Sequence, residues 1–116
     1  MAERRVVVFL CHGDETSLRL AGSCALAATA LEGRVDVFLF GAAVPAVAAA
    51  REAPPDEPGQ LLLQARATGA CRLLACSASV VEERVAPEAA EQAFDAVVGW
   101  PTVLAWSQGV VDRFSF

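Results

Sequence analysis

Arg4-Arg5-Val6-Val7-Val8-Phe9-Leu10-Cys11, followed by His12 and closed by Gly13, is the stretch on which the fold turns. Its β-branched and aromatic residues run without a polar break. A strand with one solvated face alternates apolar and polar residues, whereas an unbroken run needs cover on both faces, as in a parallel sheet layered between helices. We read this stretch as the central strand.

Working outward, Ser17 to Leu31 carries Leu18, Ala21, Ala25 and Ala28 at helical spacing, with Thr16 or Ser17 as cap and Gly33 beyond the end. Arg34 to Phe40 reads as a second strand closed by Gly41, and Val44 to Arg51 as a short helix stopped ahead of Pro54-Pro55. After the loop Glu52 to Gly59, Gln60 to Thr68 is a helix ended by Gly69, and Cys71 to Cys76 a third strand. Ser79 and Glu82 match a capping box, which starts a helix at Val80, and Pro87 opens a further turn. Phe94 to Val98, Pro101 to Gln108 and Val110 to Phe116 complete the pattern as strand, helix and strand. Strands alternating with helical connections imply right-handed crossovers, so the predicted fold is α/β: a doubly wound, Rossmann/flavodoxin-like three-layer sandwich around a five-stranded parallel sheet.

The 116 residues suit one domain spanning 1–116, and 55% hydrophobic with 20% charged residues is too apolar for disorder. A net charge of −5 with no lysine lacks the clustered cations that nucleic acid requires. Val6 to Cys11 is far shorter than a membrane span of about 20 residues, and no cleavage site of a signal peptide follows it, so a cytoplasmic protein without membrane association is expected. Cys11, Cys24, Cys71 and Cys76 form no C-x-x-C pair and lie in or beside apolar segments, which points to reduced thiols.

Ligand crevices of doubly wound sheets lie beyond the carboxyl ends of the strands. Two such ends carry chemistry here: Cys11-His12-Gly13-Asp14 after the first strand and Cys76-Ser77-Ala78-Ser79 after the third. A strand order of 2-1-3-4-5 would make these loops neighbours and bring the only histidine near a thiol. Cys76 closely precedes a short helix, whose free N–H groups favour a thiolate. The plain alternative is that it is the last buried residue of its strand. Cys11 reads as a resolving or second sulfur-carrying thiol, or as the buried continuation of its strand; His12 as base or anion partner, or as an ordinary loop residue. Cys24, in mid-helix, and Cys71, at a strand start, are packing residues. Trp100 and Trp106 belong to the core or to a subunit contact.

Several site chemistries are excluded. The carboxylates of Asp14 and Glu15 would repel a flavin phosphate, and a response regulator needs aspartate at the Cys76 position and a lysine that the chain lacks. Neither cysteine loop carries the arginine of a tyrosine phosphatase cradle, and no paired spacing supports a zinc site or a thioredoxin-type couple. No metal or cofactor is expected; a single-thiol chemistry remains.

Leu73-Leu74-Ala75-Cys76-Ser77-Ala78-Ser79 and the tail Val110-Val111-Asp112-Arg113-Phe114-Ser115-Phe116 resemble the DsrE/DsrF-like family of sulfur-relay proteins, and the order of elements is similar along nearly the full length. In that family a cysteine at the exit of the third strand accepts sulfane sulfur as a persulfide and passes it on, and this position matches Cys76. The resemblance implies a sulfur carrier or sulfurtransferase served by donor and acceptor proteins or small persulfides. It also implies a homo-oligomer or hetero-oligomer, commonly trimeric or hexameric. Ser77, Ser79 and nearby backbone N–H groups would then steady the sulfur anion. The competing expectation is a non-catalytic ligand-binding or scaffold subunit of the same fold, in which Cys76 is unreactive.

Overall fold

The computed structural model describes residues 4–31, 33–109 and 112–116. Five strands alternate with helices: β1 (Arg5–Leu10), α1 (Glu15–Ala30), β2 (Arg34–Leu39), α2 (Ala43–Ala50), α3 (Gln60–Ala67), β3 (Cys71–Cys76), α4 (Ser77–Glu82), α5 (Pro87–Ala93), β4 (Ala96–Val98), α6 (Trp100–Trp106) and β5 (Asp112–Ser115). All pairings are parallel, and the order is β4-β3-β2-β1-β5. This is the expected doubly wound α/β sandwich, with a different strand order from 2-1-3-4-5. The middle strand is β2, not β1. An unbroken apolar run reports cover on both faces, a condition that β1, β2 and β3 all meet, so it cannot rank them.

The order dictates the layers. Steps from β1 through β4 all travel one way, so right-handed crossovers put their helices on one face; the return from β4 to β5 travels back and puts α6 on the other. The larger core follows: Val6, Val8 and Leu10 of β1 meet Leu18, Ala21 and Ala25 of α1, Val44 and Val47 of α2, Leu62 of α3 and Ala93 of α5. A smaller core joins Val7, Phe38, Leu74 and Val98 of the opposite face to Val103 of α6, with Phe9, Phe40 and Trp106 against it. Strand alternation explains the split, since consecutive side chains point to opposite faces. A seven-residue helix is roughly 10 Å long, against about 19 Å for the width of five strands. The α6 face is therefore thinly covered.

Local starts and ends depart from the sequence reading in instructive ways. The cap of α1 is Asp14, not Thr16 or Ser17: its carboxylate accepts from the Ser17 backbone N–H at 3.1 Å and from the Ser17 hydroxyl at 2.8 Å. The helix α4 begins at Ser77, three residues before the expected Val80, with Cys76 as its N-cap. The Ser79–Glu82 capping box does not form, because Ser79 sits inside the first turn and its hydroxyl oxygen accepts from the Gly41 N–H at 2.8 Å. Pro87 does open a helix, α5. Strand β4 is only three residues; ahead of it, Asp95 ties to β3 through its own N–H, donating to Leu73 O, and through its carboxylate, accepting from Leu73 N–H. Val110 and Val111, the expected start of β5, lie outside the described residues. No helix among the described residues is long and apolar enough to cross a membrane.

Candidate functional site

Three strand exits lie side by side at the carboxyl edge of the sheet. Cys76 ends β3 and pairs with Val98 of β4, while its predecessor Ala75 pairs with Leu39 of β2, so Phe40, Cys76 and Val98 stand at one level. Alternation aims Cys76 to the same face as Leu74, toward α6. The chain then turns directly into α4, placing the free backbone N–H groups of its first turn next to the residue. With six residues α4 has little more than a turn and a half, so its dipole is slight.

Cys76 is buried, with 5% of its surface exposed. Ser77 is exposed, and Ser79 is buried at 7%, bound through its oxygen to Gly41. Gly41 is in a left-handed conformation there, φ 54°, which a residue without a side chain adopts at no steric cost. The bond leaves the Ser79 hydroxyl proton available as a donor. Gly99, linking β4 to α6, lies beside Ser77: a Cβ built on it would stand 3.8 Å from Ser77 Oγ.

Cys11 and His12 are both exposed at the exit of β1, where the Cys11 N–H donates to Phe116 O at 2.9 Å. The structure does not bring them beside Cys76. Strand β2 intervenes, and two strand spacings amount to about 10 Å. The adjacency that a 2-1-3-4-5 order would create is absent, and with it the direct pairing of His12 with the Cys76 thiol. Cys24 is half-buried and Cys71 buried: burial pushes the Cys24 thiol up, and burial, aided by the charges of Asp95 and Asp36, pushes Cys71 up to about 12.

The sequence reading missed a polar network at the opposite, amino end of the same face. Asp36 is 7% exposed and accepts from Arg72 at 2.8 and 3.1 Å and from Arg5 at 3.0 Å. Burial disfavours its charge, but the hydrogen bonds and charges of Arg72 and Arg5 outweigh that and hold the carboxyl below its ordinary 3.8. Arg72 also lies 4.7 Å from the centre of the Trp106 ring, and Arg5 donates to Trp106 O at 2.6 Å. No basic residue occupies the last turn of α6, so Arg5 from the sheet supplies the cation that a helix carboxyl end favours. The available signal was an aspartate inside an otherwise apolar strand, since a buried charge demands a partner.

At the other end of α6, Trp100 is 56% exposed and stacks on Phe40, ring centres 4.9 Å apart and planes 18° from parallel. Phe40 in turn stacks on Phe9 at 6.3 Å.

No protein-family model matches the chain, and no curated protein does. Solved structures do. The crystal structure of the ychN protein from E. coli aligns with a TM-score of 0.69 and 18% identity over 97% of this chain and 99% of that one. A protein of unknown function from Methanobacterium thermoautotrophicum, MTH1491, aligns with a TM-score of 0.71 and 18% identity over 96% and 99%. At this identity the likeness establishes a shared fold.

Proposed function

We propose that the protein is a cytoplasmic sulfur carrier that takes up sulfane sulfur on Cys76 as a persulfide and passes it to an acceptor thiol. The observation that carries this reading is the position of Cys76: the last residue of β3, at the carboxyl edge where doubly wound sheets hold their ligands, one residue before a helix start. The resemblance of the Leu73–Ser79 segment to the sulfur-relay proteins supports it, as does the fold.

The chemistry balances without an outside oxidant. The Cys76 thiolate attacks the outer sulfur of a donor persulfide; a Cys76 Sγ–S bond forms, the donor S–S bond breaks, and the donor leaves as thiolate with the electron pair. An acceptor thiolate then repeats the attack on the carried sulfur and releases Cys76. Ser77, the remaining Ser79 proton and the backbone N–H groups of α4 are the donors that would steady the terminal sulfur anion. Direct proton transfer from Cys76 to His12 has no part in this scheme; Cys11 would act only as a second, separately exposed thiol. Donor and acceptor proteins or small persulfides are the partners, and assembly into a homo-oligomer or hetero-oligomer, trimeric or hexameric, belongs to the same reading.

The burial of Cys76 favours a second reading, a non-catalytic binding or scaffold subunit whose thiol meets no donor. Intact-mass measurement after exposure to a persulfide donor separates the two. Measured in a Cys11→Ser background, so that the exposed Cys11 adds nothing, the carrier gains about 32 Da per transferred sulfur, and Cys76→Ser abolishes the gain. Uptake that survives the substitution, or no uptake in either protein, removes the carrier assignment.

A further inference from the structure

We infer that the first turn of α6 is an aromatic strap that controls access to Cys76, with Trp100 as its latch. The inference rests on reading Cys76 as the sulfur-carrying residue, and it explains a contrast between two thiols in equivalent positions. Cys11 and Cys76 both sit at strand exits on the carboxyl edge, yet Cys11 is exposed and Cys76 is 5% exposed.

The strand order says what covers the second thiol. Trp100 follows β4, Phe40 follows β2, and β3 with Cys76 runs between those two strands. For Trp100 to stack on Phe40 at 4.9 Å, the chain from Gly99 to the indole must pass over the exit of β3 on the face toward which Cys76 points. Among the described residues, no aromatic stack joins β2 to β5 across the exit of β1.

The strap is fastened unequally. Its carboxyl end is pinned by the Arg5 bond to Trp106 O and by the Arg72–Trp106 contact, both backed by Asp36. Its amino end has no side-chain cap, because Gly99 occupies the N-cap, and its latch is a stack whose outer ring is 56% exposed. Release of the indole from Phe40 uncovers the thiol while the rest of α6 stays in place. Local opening draws on the least secured end of an element.

Residue-resolved iodoacetamide labelling of the full chain, read by peptide mass spectrometry, tests this. An aromatic stack contributes about 0.5–1.5 kcal/mol, so Trp100→Ala and Phe40→Leu should each speed labelling of Cys76 by roughly twofold to thirteenfold. Labelling of Cys24 and Cys71 should not change, and Leu20→Ala, on the exposed side of α1, should alter none of the three. An unchanged Cys76 rate in either ring variant overturns the strap; so does an equal rise at Cys24 and Cys71, which would report general loosening. Faster labelling of Cys76 in a protein that takes up no sulfur would sink the carrier and keep the strap. Sulfur uptake on Cys76 with unchanged labelling would do the reverse.

Discussion

Three of the four thiols, Cys11, Cys24 and Cys71, should separate cleanly by environment. At pH 8 Cys11 should label first, being exposed, and Cys24 more slowly, since burial raises its proton affinity. Cys71, pushed up to about 12, is ionised in only about one molecule in ten thousand at that pH and should stay unlabelled until the protein unfolds. Peptide mapping across a time course checks the ranking, and early labelling of Cys71 would contradict it. Asp36 offers a pH test. Its carboxyl is held below 3.8 in the fold, so the stabilisation it contributes is complete above about pH 4 and lost as pH falls through the lower, folded value. Fully buried pairs cost about 3–5 kcal/mol to break, but Arg5 and Arg72 are 35% and 40% exposed, so Asp36→Asn should cost about 1–2 kcal/mol at pH 7. Urea melts should show that deficit shrinking as the pH drops below 4.

Among the elements, the α1–α3 contact is where magnitudes conflict. Replacing Gly22 with alanine gains about 1 kcal/mol of helix propensity, yet the added methyl would collide with the Cβ of Leu61, a backbone-anchored atom that cannot swing aside. Overpacking costs about 1–3 kcal/mol and should win, so thermal melting of Gly22→Ala should fall; a rise would mean that the two helices are not held this close. The same scale shows what the sequence could disclose. Every strand and nearly every helix was legible, because continuous apolar runs, Gly33, Gly69 and Pro87 are local signals. The starts of α1 and α4 were not. Asp14 and Ser17 both have capping side chains and only the fold chooses between them, while Ser79 was drawn from capping its own helix by Gly41, a residue 38 positions away.

For the molecule as a whole, strand order was the decisive unknown. Whether the Cys11 and Cys76 loops meet depends on which strand lies between them, and no pattern within β1, β2 or β3 encodes its neighbours. The elements of the site were therefore visible as separate pieces, Cys76 among them, but the cover over Cys76 was not: the Phe40–Trp100 stack joins residues 60 positions apart. The order also bears on biosynthesis. Strand β1 is synthesised before the other four strands, yet its outer edge is closed only by β5, through register pairs from Val6–Asp112 to Phe9–Ser115. For most of translation a valine-rich ribbon with unmet N–H and C=O groups waits for residues 112–116, a window in which nascent chains could join one another edge to edge.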